Sequence, residues 1–398
     1  MNKQGLVLSS LFLAGVMSTY FWVQTPQPQL VVTTPTPAVT RTATPDPVPA
    51  LTDAPTIKLA IMLDTSNSMD GLIDQARNQL WRVVNEFGKA RYQGKEPRLE
   101  VALYEFGNDS LSGEKGYVRK VVGFTTELDR VSEELFALRT NGGEEYCASV
   151  IQAGLNELDW SKKPGDLNLI FVAGNEPFDQ GPLNFRDVCA AAKKRNIFVN
   201  TIFCGSPSDQ DATLWSHGAS LGDGRYLTLD TNQKVAYIAA PQDDELARLS
   251  SELNNSYVPY GAEGQIACQR QVAQDQNAAG ASSEVVAYRA AAKSSKQYDN
   301  SSWDLVDAAK DGKVDLGRVS AAELPAPMQS MNTDERKKYV AEKQKEREDI
   351  QARIKKLTAE REEFVAKERE KAGRESTLDA LVISTVQEQA GKKGYSFK

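Results

Sequence analysis

Between residues 57 and 258 the chain alternates short apolar runs with segments whose apolar residues return every three or four positions. Residues 57–63, IKLAIML, read as a buried strand. Ile73, Ala76, Leu80, Val83 and Phe87 then mark a helix with one buried face, stopped at Gly88. Strands follow at 99–106 and 117–124, separated by the turn-rich GNDSLSGEKG, and a helix covers 127–138. TNGGEEYCA at 140–148 leads into a helix through Val150, Ile151, Leu155 and Leu158. Residues 167–172 and 197–203 read as buried strands on either side of a helix at 184–194. Trp215, a short run at 226–229 and a helix at 243–253 complete the region. This alternation predicts an α/β class with a doubly wound, mostly parallel sheet.

The two ends have other patterns. Residues 5–24 contain no charge and are followed by a proline-rich segment. Twenty residues rise about 30 Å as a helix, enough to cross a bilayer. Tyr20, Phe21 and Trp22 stand at the outer end, where amphipathic rings favour the interface. Lys3 precedes the span and Arg41 is the first basic residue after it, which places the amino terminus in the cytoplasm and the bulk of the chain outside. The reading is therefore an uncleaved signal-anchor at 1–24, with a cleaved signal peptide as the alternative. Proline density makes 25–56 an extended stalk.

Beyond 258 the chain becomes alanine-rich and polar. Residues 259–332 read as short helices and loops, in which Trp303 and Leu305 dock onto the central domain. Residues 333–398 read as a long charged helix and a short amphipathic one. Val340, Ile350, Ile354, Leu357 and Phe364 follow heptad-like spacing, but Lys343, Arg347 and Arg361 interrupt the seam. The pattern favours a solvated helix, or a weak coiled-coil pairing. Gly373 breaks it, and Leu378, Leu381, Val382 and Val386 form the second amphipathic face.

Composition narrows the functions. The 398 residues carry a net charge of -7, which gives nucleic acid no electrostatic footing. Four cysteines are too few for a disulfide scaffold, and a single histidine, His217, argues against triads and histidine-rich zinc sites. The chemistry lies instead at the end of the first strand. Asp64, Ser66 and Ser68 form an Asp-x-Ser-x-Ser loop where open α/β sheets bind ligands. One carboxylate and two hydroxyls are hard oxygen donors of the kind that Mg²⁺, Mn²⁺ or Ca²⁺ accept. Such a loop does not fill an octahedron alone.

The loop 64–68, the Gly142-Gly143 pair about eighty residues on, and the strand ending in AGNEP together resemble a von Willebrand factor type A domain, of the bacterial membrane-anchored kind, over about half of the chain. The resemblance implies a metal-ion-dependent adhesion site whose second loop supplies a threonine and whose third supplies an aspartate. This chain departs at both. Glu145 stands at the threonine position, with Glu144 and Thr140 as alternatives from the same loop. The third loop reads Ala173-Gly174-Asn175, so that Asn175 or Glu176 substitutes for the aspartate. An acidic second loop strengthens cation binding and weakens attraction for an acidic partner. Cys147 and Cys204 fall at the ligand end of the predicted sheet, so a bond from Cys147 to Cys204 or Cys189 is permitted outside the cytoplasm. Buried free thiols are the other reading.

No nucleophile–base pair stands near Asp64, and no glycine-rich phosphate loop follows Gly142-Gly143, which argues against an enzyme. The expectation is a membrane-tethered, extracytoplasmic module that binds an unidentified protein through a divalent cation. The alternative is an assembly protein acting through its carboxyl-terminal helices, with a decayed metal site.

Overall fold

The first strand, β1 (Thr56–Asp64), alternates its side chains between two cores. Ile57, Leu59 and Leu63 enter one buried cluster, while Ala60 and Met62 enter another. That two-residue period is what a strand covered on both faces requires. The computed structural model describes residues 54–229, 238–372 and 378–397. The predicted anchor at 5–24, the stalk up to residue 53 and the break at Gly373 lie outside them. Among the described residues no helix is long and apolar enough to cross a membrane.

Six strands form the main sheet. With β2 (Ala90–Tyr92) set aside, they are β1, β3 (Arg98–Phe106), β4 (Val118–Thr125), β5 (Leu167–Gly174), β6 (Ile197–Phe203) and β7 (Tyr226–Thr228). Their order is β4-β3-β1-β5-β6-β7, parallel except for β4, which runs antiparallel at one edge. The register pairs Asp64 with Phe106 on β3 and Leu63 with Ala173 on β5. Strand order reverses at β1, so the loop leaving Asp64 opens at the switch point where doubly wound sheets hold ligands.

On one face lie α1 (Asp70–Lys89) and α2 (Leu128–Ala137). On the other lie α3 (Cys147–Glu157), α4 (Phe185–Lys194) and α5 (Ala212–Leu221). Asn184 starts α4 by accepting from Arg186 N at 3.0 Å, satisfying one of the free amides of a helix start.

The remaining helices thicken the α1 side into a second layer. These are α6 (Asp243–Asn254), α7 (Gly264–Ala281), α8 (Ser283–Lys293), α9 (Leu305–Lys310), the 40-residue α10 (Thr333–Ala372) and α11 (Leu378–Lys392). A buried polar network fastens α8 in place. Arg289 donates to Asp129 of α2 at 2.7 Å and stacks over Trp81 of α1 at 4.5 Å. Lys293 reaches Asp275 of α7 at 2.9 Å and Asn254 of α6 at 2.6 Å.

The solvated or weakly paired long helix expected within 333–398 is not what forms over the described residues. Along α10, Val340, Ile350, Ile354 and Val365 are buried, and so are Arg347 and Arg361. The basic residues that interrupt the heptad pattern meet carboxylates of the same chain: Arg347 meets Asp304 and Asp307, and Arg361 meets Asp243, each at 2.7 Å. Trp303 and Leu305 dock as expected, with Trp303 packed on Tyr257 at a ring separation of 5.6 Å. The final strand β8 (Tyr395–Phe397) pairs antiparallel with β2, closing the chain back onto the segment that follows α1.

Candidate metal and binding site

Asp64 ends β1 fully buried, with Thr65 and Ser66 beside it. The loop turns at once because Ser66 N donates to Asp64 Oδ1 at 2.7 Å. It is held from below by Thr65 N donating to Phe106 O at 2.9 Å, and from above by Asn141 N donating to Thr65 O at 2.9 Å. Asn108 adds a side-chain tie, donating to Thr65 O at 3.3 Å and to Arg139 O at 3.0 Å. Ser66 Oγ and Ser68 Oγ lie 3.3 Å apart, and Ser68 Oγ donates to Asn175 Oδ1 at 3.3 Å. The first and third loops therefore meet through hydroxyl and amide.

The glycines explain how the second loop comes in. A Cβ on Gly143 would sit 2.7 Å from the Gly107 carbonyl oxygen, so backbone packs on backbone there. Gly107 itself has φ +75°, and a Cβ on it would sit 2.8 Å from both Asp64 Oδ1 and Glu145 Cγ. Only residues without a side chain admit Glu145 to the pocket beside Asp64.

The two carboxyls lie close enough to share a proton, and Ser66 faces both. Burial pushes Asp64 up to about 6. Burial first, then the neighbouring Asp64, push Glu145 up to about 10. With both ionised, Asp64 Oδ2 and Glu145 Oε2 are buried acceptors that no donor reaches. Buried unpaired acceptors are rare and costly, and a cation satisfies them as well as a proton does.

Of the predicted second-loop candidates, Glu145 is the one that joins Asp64. Glu144 is exposed, and the Thr140 hydroxyl donates to Asp70 Oδ1 at 2.6 Å. In the third loop Asn175 touches Ser68, while Glu176 acts on both carboxyls through its charge. Among the described residues no three His, Cys, Asp or Glu side chains converge to hold a metal. The donor set is mixed instead: Asp64 and Glu145, with the Ser66 and Ser68 hydroxyls and the Asn175 amide at its margin. That all-oxygen set fits a hard divalent cation with water completing its shell.

The permitted disulfide does not form. Cys147, Cys189 and Cys204 are buried free thiols, and Cys268 is a fourth free thiol. Burial raises all four, so none is a thiolate at neutral pH. Asp70, Asn108, Gly107 and Gln180, which accepts from Glu145 N at 2.6 Å, are parts of the site that no spacing in the sequence singles out.

No family profile and no curated protein matches the chain. Among solved structures it is similar to proximal thread matrix protein 1 of the mussel byssus with a zinc-occupied MIDAS motif, at 13% identity and a TM-score of 0.35. That match covers 45% of this chain and 43% of the mussel protein, less than half of its length. It is also similar to the SpRpn10 VWA domain, at 12% identity and a TM-score of 0.34, covering 46% of this chain and 100% of that one. An aerotolerance-related membrane protein from Bacteroides fragilis is similar at 17% identity and a TM-score of 0.30, over 44% of this chain and 93% of that one. The chain's own strand order, its antiparallel edge strand and its Asp-x-Ser-x-Ser loop at the switch point give the central region the fold of a von Willebrand factor type A domain.

Proposed function

We propose that this chain is a non-catalytic protein-binding module whose docking face is organised by a divalent cation at Asp64, Glu145, Ser66 and Ser68. The observation that carries the reading is the pair of buried acceptors, Asp64 Oδ2 and Glu145 Oε2, that no donor reaches. Two such oxygens left buried and unpaired cost several kcal/mol unless a proton or cation satisfies them. Glu145 at the second loop supplies a charged ligand in place of a neutral hydroxyl. Mg²⁺, Mn²⁺ and Ca²⁺ all suit the oxygen donors, with Asn175 and Glu176 supporting from the third loop. In this reading the site binds its partner and turns nothing over. In this reading residues 5–24 tether the module and the bulk of the chain works outside the cytoplasm, with the helical layer bracing the α1 side.

The test is thermal unfolding of the full-length chain with Mg²⁺, Mn²⁺ or Ca²⁺ against EDTA. A cation that binds only the folded state at about a hundred times its Kd stabilises it by about 2.7 kcal/mol. An absent shift, or an equal shift in Asp64→Ala, overturns the metal-dependent reading.

A further inference from the structure

The loops that surround the candidate site have a charge balance unlike the rest of the chain. Five segments gather at the carboxyl end of the parallel strands: 64–70, 107–117, 139–146, 175–184 and 204–211. The segment 139–146 is placed there by Asn141 N on Thr65 O, and 107–117 by its position between β3 and its antiparallel partner β4. Together they hold ten carboxylates against two basic residues, Lys115 and Arg139, in a chain whose acidic and basic totals are 54 and 47. Among the described residues none of the ten makes an ion pair. Among the other described residues most acidic side chains are paired, Glu105 with Arg119, Glu157 with Lys120 and Asp223 with Lys193 among them.

The opposite end of the sheet differs. Its connections carry Arg91, Lys95, Lys162, Lys163, Arg195 and Arg225, so acids and bases there are close to balanced. The negative charge is thus concentrated where the switch-point loop opens, with Asp70, Asp109, Glu144 and Asp179 exposed on the rim. At the centre lie the two buried acceptors that no donor reaches, Asp64 Oδ2 and Glu145 Oε2, which independently call for positive charge. A divalent cation offsets only two of the ten charges. The surface left around it remains negative, and it repels an acidic side chain approaching the centre.

We infer that this face docks a basic partner, a protein segment rich in lysine or arginine, whose cationic side chains engage the rim carboxylates around the Asp64–Glu145 centre. The inference rests on the reading of that centre as the docking site, and it adds the chemistry of what docks. Unpaired, exposed carboxylates around a buried acidic centre steer a cationic partner and select against an anionic one. Glu145 and Glu176 contribute to the same end, because charge supplied by the protein leaves no need for a carboxylate from the partner. Association on such a face weakens steeply with salt.

The experiment measures binding of an octapeptide of alternating lysine and glycine, and of its glutamate counterpart, to the full-length chain at low and high salt. It is run in Mg²⁺ and in EDTA, alongside the Mg²⁺-induced shift in unfolding temperature. One variant is Asp109→Asn/Glu144→Gln/Asp179→Asn on the rim. Its control, Asp244→Asn/Glu263→Gln/Asp334→Asn, removes the same charge at exposed positions away from it. The lysine peptide is expected to bind, the rim variant to lose about tenfold in affinity at low salt, and the control to change less than about twofold. Tighter binding of the glutamate peptide, equal losses in the two variants, or no lysine-peptide binding overturns the inference. The Mg²⁺ shift separates the two ideas. A shift with no lysine-peptide binding overturns the partner class alone, and lysine-peptide binding without a shift overturns the metal alone.

Discussion

Arg347 of α10 donates to Asp304 Oδ2 at 2.7 Å, and the two side chains are 5% and 0% exposed. Asp304 also accepts from Val258 N at 2.7 Å and starts α9 by accepting from Asp307 N at 2.9 Å. One carboxylate therefore fixes the end of the α/β region, the start of α9 and the course of α10. Removing the guanidinium leaves that carboxylate buried without its counter-charge. Arg347→Ala is expected to lower stability by about 3–5 kcal/mol. Urea unfolding checks this, and a loss under about 1 kcal/mol contradicts it.

Gly107→Ala tests the approach of the second loop. The backbone there has φ +75°, and the added methyl meets Asp64 Oδ1 and Glu145 Cγ at 2.8 Å. The variant is expected to lose at least about 1 kcal/mol from strain and to lose the Mg²⁺-induced rise in unfolding temperature with it. Retention of a full metal response in a folded Gly107→Ala protein is the contrary result.

The response to pH follows from the raised carboxyls. Glu145 is pushed up to about 10 and Asp64 up to about 6, both first by burial. Between the ordinary carboxylate range and those values the folded chain holds protons that the unfolded chain has released. In EDTA this contribution is complete at low pH and is lost as pH rises toward 10. A cation competes with the shared proton, so the Mg²⁺-induced rise in unfolding temperature should be larger at about pH 8.5 than at about pH 6. Glu145→Gln should flatten the EDTA profile. A profile unchanged by that substitution removes Glu145 as its source.

Deleting 393–398 tests the terminal strand. Tyr395 donates to Gly165 O at 2.8 Å and packs on Tyr92 at 5.1 Å, and β8 gives β2 its ladder. The truncated chain should lose amide protection at 90–92 while β1 and β5 keep theirs. In the same helical arm, Gln389 and Asn200 exchange a reciprocal amide pair with both side chains fully buried. Gln389→Ala is expected to cost about 1–3 kcal/mol.

The free thiols make a prediction of their own. Cys147, Cys189 and Cys204 are buried and held protonated, so a reductant should leave the unfolding temperature unchanged. In the folded protein an alkylating probe should reach Cys268 first, because it is the partly exposed one.

The sheet was legible in the sequence because its signals are local. Apolar runs at 57–63, 167–172 and 197–203 are short, and the helices between them carry the 3.6-residue period, so sequence alone determined the α/β class and the place of Asp64 at a strand end. It also limited the second loop to Thr140, Glu144 and Glu145. Which of these faces Asp64 was decided by tertiary structure, through Gly143 packing on Gly107 and Gln180 holding Glu145 N, contacts between residues about 35 apart. The same holds for Arg347 and Arg361. In sequence they are breaks in an apolar seam, because periodicity reports only the polarity of a position. In the fold they are the buried attachments of α10, since Asp304, Asp307 and Asp243 reach them from segments that no local pattern links to the helix. Burial of a charge depends on a partner far along the chain, and that partner exists only once the chain has closed on itself.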